Sequence, residues 1–271
     1  MIRLIASDMD GTLLDEQKRL PPRFEGVVRR LRAQGVRFAV ASGRQYETLL
    51  RDFPRLADEL IFIAENGAMA ADGRRLLFVD SVPPEQAARA LRAMHALQGV
   101  YPILCTAHGA FIEDADEAFE AKARMYYERV ERVPDLIPLC AQGEVCKIAA
   151  YDPQGAEGRS FDALRGALPK LSVILSAATW SDVMRPGVSK GSAMRALQRS
   201  LGIGPGECMA FGDYLNDLEL LQACGHSYAM RNAHPRLKAA ARFEAPGNDE
   251  NGVMRVLREA FDLEAEFGPA H

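Results

Sequence analysis

The residues of this chain best suited to covalent or metal chemistry are carboxylates, and they fall in two short clusters. Asp8 and Asp10 are two residues apart in Asp8-Met9-Asp10-Gly11-Thr12, where Gly11 gives the backbone freedom to turn. Asp213 and Asp217 bracket Asn216 in Gly212-Asp213-Tyr214-Leu215-Asn216-Asp217. Gathered in one crevice, such carboxylates repel one another unless a cation compensates. A ligand set made of oxygen alone points to Mg2+ rather than zinc. Lys190 is a second signal. In Gly187-Val188-Ser189-Lys190-Gly191 it opens a helical pattern, where the helix dipole disfavours a cation. A residue that breaks a local preference points to function, and a lysine beside carboxylates and a phosphate is well placed. A solvated surface lysine is the plain alternative.

The elements that must position these residues follow from apolar patterning. Ile2–Ala6 ends at Asp8, Val36–Ala41 at Ser42-Gly43-Arg44, Leu60–Ala64 at Glu65-Asn66-Gly67, and Cys208–Phe211 at Gly212-Asp213. Between the first three runs lie helical patterns over 23–34, with Phe24, Val27, Val28 and Leu31 at helical spacing, and over 45–53. Apolar strands alternating with helices argue for a parallel sheet covered by helices. In an open parallel sheet the carboxyl ends of the strands share one edge, where ligands bind. Asp8, Ser42, Asn66 and Asp213 are therefore expected to face one crevice.

The last third repeats that texture, with helices expected over 190–201, 215–223, 233–241 and 252–261 and strands over 208–211 and 227–230. The middle differs. From about 81 to 186, hairpin-like strand groups accompany helical patterns at 84–97 and 157–168, the look of an α+β unit inserted into an α/β core.

Bulk properties narrow the function classes. The chain has 271 residues, 48% hydrophobic and 26% charged, with a net charge of −4, the profile of a globular protein of one or two domains. No stretch is both strongly basic and aromatic, which argues against nucleic acid as partner. No apolar run approaches the ~20 residues that span a bilayer. The start lacks the apolar core of a signal peptide, so no membrane association and a cytoplasmic location are expected. The cysteines at 105, 140, 146, 208 and 224 contain no CxxC pair and read as reduced, mostly buried thiols. The histidines at 95, 108, 226, 234 and 271 form no cluster and receive no role.

Together these segments resemble the haloacid dehalogenase superfamily, and within it the Cof-type phosphatases with a large α/β cap. Asp8 to Leu14 resembles the first motif of that family, Ala41-Ser42-Gly43-Arg44 the second, Lys190 the third, and Gly212-Asp213 to Asn216-Asp217 the fourth. Glu65-Asn66-Gly67-Ala68 and Asn248 to Val253 resemble further signatures of the Cof-type group. The resemblance covers essentially the whole chain. It implies a doubly wound, mostly parallel α/β core of Rossmann-like form over 1–80 and 187–271. It also implies that residues 81–186 form an inserted α+β cap, expected to close over the crevice and to set substrate choice.

The resemblance also implies roles. Asp8 attacks phosphorus and forms an aspartyl-phosphate, while Asp10 protonates the leaving oxygen and then activates water. Mg2+ is held by Asp8, the backbone carbonyl of Asp10, and Asp213. Ser42, Gly43, Lys190 and Asn216 bind the phosphoryl group, and Asp217 orients Lys190 or a metal-bound water. The expected substrate is a small phosphorylated metabolite, a sugar phosphate or a phosphorylated cofactor, acted on by a monomer or small homo-oligomer. Two rivals stand beside this reading. One is a phosphosugar mutase on the same core; the other is a non-catalytic binding or regulatory protein, which would be expected to have lost one of these carboxylates. Several residues keep plainer alternatives. Asp8 also suits a turn after a strand, Ser42 a helix N-cap, Asn66 a turn with Gly67, Arg44 a surface ion pair, and Asp217 the first turn of a helix. Trp180, Asp182 and Arg185 lie where the inserted unit returns to the core and suit either a substrate pocket or ordinary packing.

Overall fold

In the computed structural model, which describes residues 1–113, 117–142 and 144–263, the first apolar run forms strand β1 (Leu4–Asp8), buried at every position. Helix α1 (Phe24–Ala33) buries Phe24, Val27, Val28 and Leu31, one helical face. Strand β2 (Arg37–Ala41), helix α2 (Tyr46–Asp52) and strand β3 (Ile61–Ala64) follow. Strands β4 (Met69–Asp72) and β5 (Arg75–Val79) are additions to the expected elements. Alanine-rich Met69-Ala70-Ala71 has weak strand propensity. Antiparallel pairing with β3, from Ile61 opposite Asp72 to Ala64 opposite Met69, imposes the conformation.

The middle of the chain contains α3 (Pro84–His95), β6 (Tyr101–Thr106), β7 (Gly109–Ile112), α4 (Glu117–Tyr126), β8 (Val130–Arg132), β9 (Val145–Tyr151), α5 (Phe161–Ala167), β10 (Ser172–Ala177) and β11 (Trp180–Met184). The remainder forms α6 (Lys190–Leu201), β12 (Cys208–Gly212), α7 (Leu218–Gln222), β13 (His226–Met230), α8 (Pro235–Ala240), β14 (Phe243–Ala245) and α9 (Gly252–Phe261). The helix expected from Leu215 opens instead as a 3-10 turn over Leu215–Asp217. The Asp217 carboxylate accepts the backbone N–H groups of Asp213 and Tyr214, at 3.1 and 3.2 Å, and holds that tighter turn.

The chain divides into two compact units, Met1–Gly43 with Phe53–Leu77 and Ser189–His271, and Arg44–Asp52 with Phe78–Val188. Beside the expected division near 80 and 187, the second unit also takes α2. Gln45 and Arg129 exchange two hydrogen bonds of 3.0 and 3.1 Å, and Arg51 pairs with Glu128 at 2.5 Å.

The sheet of the first unit runs β14-β13-β12-β1-β2-β3-β4-β5. Pairing is parallel from β14 to β3. The chain winds outward from β1 through β2 and β3, then through β12, β13 and β14 on the other side. The winding direction therefore switches between β1 and β12, which makes this a doubly wound α/β core. The sheet of the second unit runs β10-β11-β9-β6-β7-β8. One of its faces packs Leu104, Ile148 and Val183 against Ala87 and Leu91 of α3 and Leu164 of α5. The other packs Ile103, Cys105, Ala149 and Trp180 with Phe119 and Ala123 of α4. Among the described residues no helix is long and apolar enough to cross a membrane. The five cysteines are buried and unbridged. His271 lies outside the described residues.

Candidate active site

The switch between β1 and β12 puts two carboxylates side by side. The strands pair in parallel from Leu4 opposite Cys208 to Ser7 opposite Phe211, so Asp8 ends one and Asp213 follows the other. A crevice at the carboxyl ends of strands, at such a switch point, is where open α/β sheets bind ligands. Gly11, at φ +79°, turns the chain back beneath this edge; a Cβ there would collide with the Asp213 carboxylate. Thr12 donates its hydroxyl to Asp213 Oδ1 at 3.0 Å. Carboxylate oxygens of Asp8, Asp213 and Asp217 lie within 4.8 Å of one another.

Lys190 enters this cluster from the first residue of α6. The helix start is capped by Ser189, whose hydroxyl accepts the Ser192 N–H at 3.1 Å. Lys190 is 1% exposed, which sets aside the solvated alternative. Its Nζ donates to Asp8 Oδ1 at 2.5 Å and to Asp217 Oδ1 at 2.7 Å. The close approach is built on small residues. A Cβ on Gly191 would strike the backbone of Glu219, and one on Gly212 would strike Asp217.

Burial first, and then the charge of Asp217, push the Asp8 carboxyl well above its ordinary range, against the pull of Lys190. Burial followed by Asp217 also raises Asp213. Burial disfavours the Lys190 ammonium, but Asp217 and Asp8 outweigh it and raise that group above its usual value, so it stays charged. One ammonium among three carboxylates leaves negative charge uncompensated, which fits a divalent cation. The donors are all oxygen, the set Mg2+ prefers. Asp217 has both oxygens engaged, one by Lys190 and one by two backbone N–H groups. Asp8 and Asp213 are the carboxylates better placed to hold an ion.

Ser42, Gly43, Asn66 and Asn216 form an adjoining group. Ser42 is buried; its N–H donates to Ile63 O at 2.8 Å and its carbonyl accepts the Asn66 N–H at 3.0 Å. Because α2 begins only at Tyr46, Ser42 is not its N-cap. A Cβ on Gly43 would press within 3.0 Å of the Asn66 carboxamide, and Asn216 Nδ2 stands 3.5 Å from Asn66 Oδ1. Asn66 is a turn residue as well, in a run of positive φ at Glu65 (50°), Asn66 (54°) and Gly67 (98°). The Asp10 carboxylate stands apart from the acidic cluster, with a side chain 40% exposed and 2.7 Å from Lys18 Nζ. Arg44 pairs with Asp52 at 2.7 Å, matching the ion-pair alternative.

Two asparagines hold the Asp8–Leu14 turn: Asn232, which sequence reasoning missed, and Asn248, which it gave only within a family signature and without a role. Asn232 donates to Gly11 O at 2.8 Å and Asn248 to Leu14 O at 2.9 Å. The Asn248 N–H in turn donates to Asn232 Oδ1 at 3.1 Å. The only available signal was the polar run Asn248-Asp249-Glu250-Asn251, and no spacing rule links it to Gly11.

Comparison with known proteins agrees with this geometry. A family model described as haloacid dehalogenase-like hydrolase matches residues 5–257. The 5-amino-6-(5-phospho-D-ribitylamino)uracil phosphatase YbjI of Escherichia coli (strain K12) is 34% identical over 269 residues, covering 98% of this chain and 98% of that protein. The HMP-PP phosphatase of Cronobacter sakazakii is 31% identical over 246 residues, covering 88% of each chain. Among solved structures, SMU.1108c from Streptococcus mutans UA159 has a TM-score of 0.84 at 26% identity, over 97% of this chain and 100% of that one. The chain belongs to the haloacid dehalogenase-like hydrolases, and within them to the Cof-type phosphatases.

Proposed function

We propose that this protein hydrolyses a phosphomonoester of a small metabolite through an aspartyl-phosphate on Asp8. The observation that carries the reading is the buried Lys190 ammonium, bonded at once to Asp8 and Asp217. It holds the Asp8 carboxylate in one orientation and offsets part of its charge, so that an anionic phosphate can approach. Asp8 Oδ attacks phosphorus in line and the ester oxygen leaves. Asp10, more exposed and two residues on, gives that oxygen a proton and then takes one from the water that cleaves the intermediate. The Ser42 hydroxyl, the backbone at Gly43, and Asn216 bind phosphoryl oxygens, and Asp217 keeps Lys190 aimed at Asp8. Mg2+, held by Asp8, Asp213 and the Asp10 carbonyl, would supply Lewis-acid neutralisation of the phosphoryl charge.

The relatives bear on the substrate class. One is named for a phosphoribitylamino-uracil compound and another for HMP-PP, both small phosphorylated molecules. We assign substrate choice to the second unit, over the expected 81–186.

The test is a phosphate-release screen across sugar, nucleotide and cofactor phosphates, with Asp8→Asn as the blank and no bisphosphate activator added. Release that needs Mg2+ and is lost in Asp8→Asn is expected. Equal release by the variant would sink the mechanism, and turnover only with a bisphosphate would favour the mutase.

A further inference from the structure

Among the described residues the two sheets end in four edge strands, β14 and β5 in the first unit and β10 and β8 in the second. An edge strand offers N–H and C=O groups to any strand that approaches, and charged side chains on it discourage such pairing. Three of the four carry them. β5 has Arg75, β14 has Glu244, and β8 has Glu131 and Arg132. β10, Ser172-Val173-Ile174-Leu175-Ser176-Ala177, has none. The uncharged stretch around it runs from Leu171 to Ser181. Leu76 on β5 and Phe243 on β14 are at least as exposed as Ile174 on β10, but each has a charged neighbour in its strand.

The inner side of β10 is well formed. It pairs antiparallel with β11, from Ser172 opposite Met184 to Leu175 opposite Ser181, and the register shifts only after Leu175. Val173 packs against the apolar layer that holds Leu164 of α5. Ile174, on the other face by strand alternation, is 38% exposed. On the outer side, among the described residues, no turn, loop or cap makes a backbone hydrogen bond to Ser172–Ala177.

The residue order of β10 says what fits that edge. Read antiparallel against itself with Ile174 opposite Ile174, Val173 meets Leu175 and Ser172 meets Ser176. Aliphatic chains oppose aliphatic chains, hydroxyls oppose hydroxyls, and no like charges face each other, the pairs that support a ladder. A slip of one residue either way would set an aliphatic side chain against a serine, so the pattern specifies its register. A strand complementary to its own copy about a two-fold axis makes the isologous contact of a dimer.

We propose that β10 is a self-association edge: two copies of this chain pair their β10 strands antiparallel about Ile174, and the sheet of the second unit continues from one copy into the other. The inference goes beyond the phosphatase reading and does not depend on it. Standard interfaces use about 20 to 30 residues a side, whereas this ladder has 6. The dimer should therefore come apart on dilution.

Sedimentation velocity of the full chain between about 1 and 300 µM reads this, with the mean mass rising from one chain toward two. Ile174→Lys sets two ammonium groups face to face and should weaken dimerisation roughly tenfold. Cross-linking reads the register. With oxidised glutathione, Ile174→Cys should give a disulfide-linked dimer, because directly opposed residues meet disulfide geometry. Ser176→Cys places its thiol opposite Ser172 of the second copy and should stay uncross-linked. The native cysteines are buried and give little background. Thermal melts verify that the variants fold. A single-chain mass over the whole range, a dimer that Ile174→Lys leaves intact, or equal cross-linking of both cysteine variants overturns the proposal.

Discussion

The two units each bury a lysine beside a carboxylate, and the difference between the two sites is instructive. In the first, Lys190 touches Asp8 and Asp217 at 2.5 and 2.7 Å, with Asp213 in the same cluster. In the second, Lys147 stands 3.6 Å from Asp182, with its ammonium 5.8 Å from the centroid of the Tyr127 ring. Both lysines are nearly inaccessible. The first cluster keeps an excess of negative charge and raises the Asp8 carboxyl, whereas in the second Lys147 faces the Asp182 carboxylate as an ion pair. Burying unbalanced charge is destabilising. Where it persists, as at Asp8, it prepares a site for a cation and an anionic ligand. A matched pair contributes to the order of its own sheet without inviting an ion.

The sharpest break in that comparison is Asp8→Asn, expected to lower phosphate release by a factor on the order of 10^4 or more, because the nucleophile itself is removed. Lys190→Met comes next. Losing the ammonium that aligns Asp8 should lower kcat by roughly 10^2 to 10^3, measured at saturating substrate. In the second unit the effect should appear in stability rather than chemistry. Asp182→Asn removes the carboxylate paired with Lys147 and should destabilise the protein by about 3 kcal/mol in urea unfolding. The double change Lys147→Met with Asp182→Leu should recover most of that loss; equal damage from both would mean that the ion pair is not what matters.

The smallest expected effect concerns pH. The folded state raises the Asp8 carboxyl, so it binds that proton more tightly than the unfolded chain does. This contribution is fully present below the ordinary carboxylate value of 3.8 and is lost as pH rises toward the raised folded value. In chelator-treated protein, Asp8→Asn should therefore melt about 3 °C above the parent at pH 8, and the gap should close toward pH 4. A constant gap across that range would assign the gain to something other than the Asp8 charge.

Much of the fold and of the candidate site was legible along the chain because strands and helices declare themselves through periodicity. Val27, Val28 and Leu31 mark the buried face of α1, and α9 spans the expected 252–261. The β4–β5 hairpin and α4 were not legible. Alanine-rich β4 takes its conformation from its neighbour β3, and α4 carries only Phe119 and Ala123 as buried anchors. At the site, Asp8, Ser42 and Asp213 could be placed from strand ends alone. Thr12, Asn232 and Asn248 could not, because their hydrogen bonds close loops of 201, 221 and 234 residues.

The sequence by itself determined the local parts: which runs are strands, where they end, and which carboxylates stand at those ends. Only the tertiary structure decided that Lys190 is buried against Asp8 and Asp217, and that among the described residues Asp217 rather than Asp10 completes the carboxylate cluster. The reason is physical. Periodicity and end signals arise from contacts a few residues apart, while burial, charge balance and hydrogen-bond satisfaction depend on partners brought close only by folding.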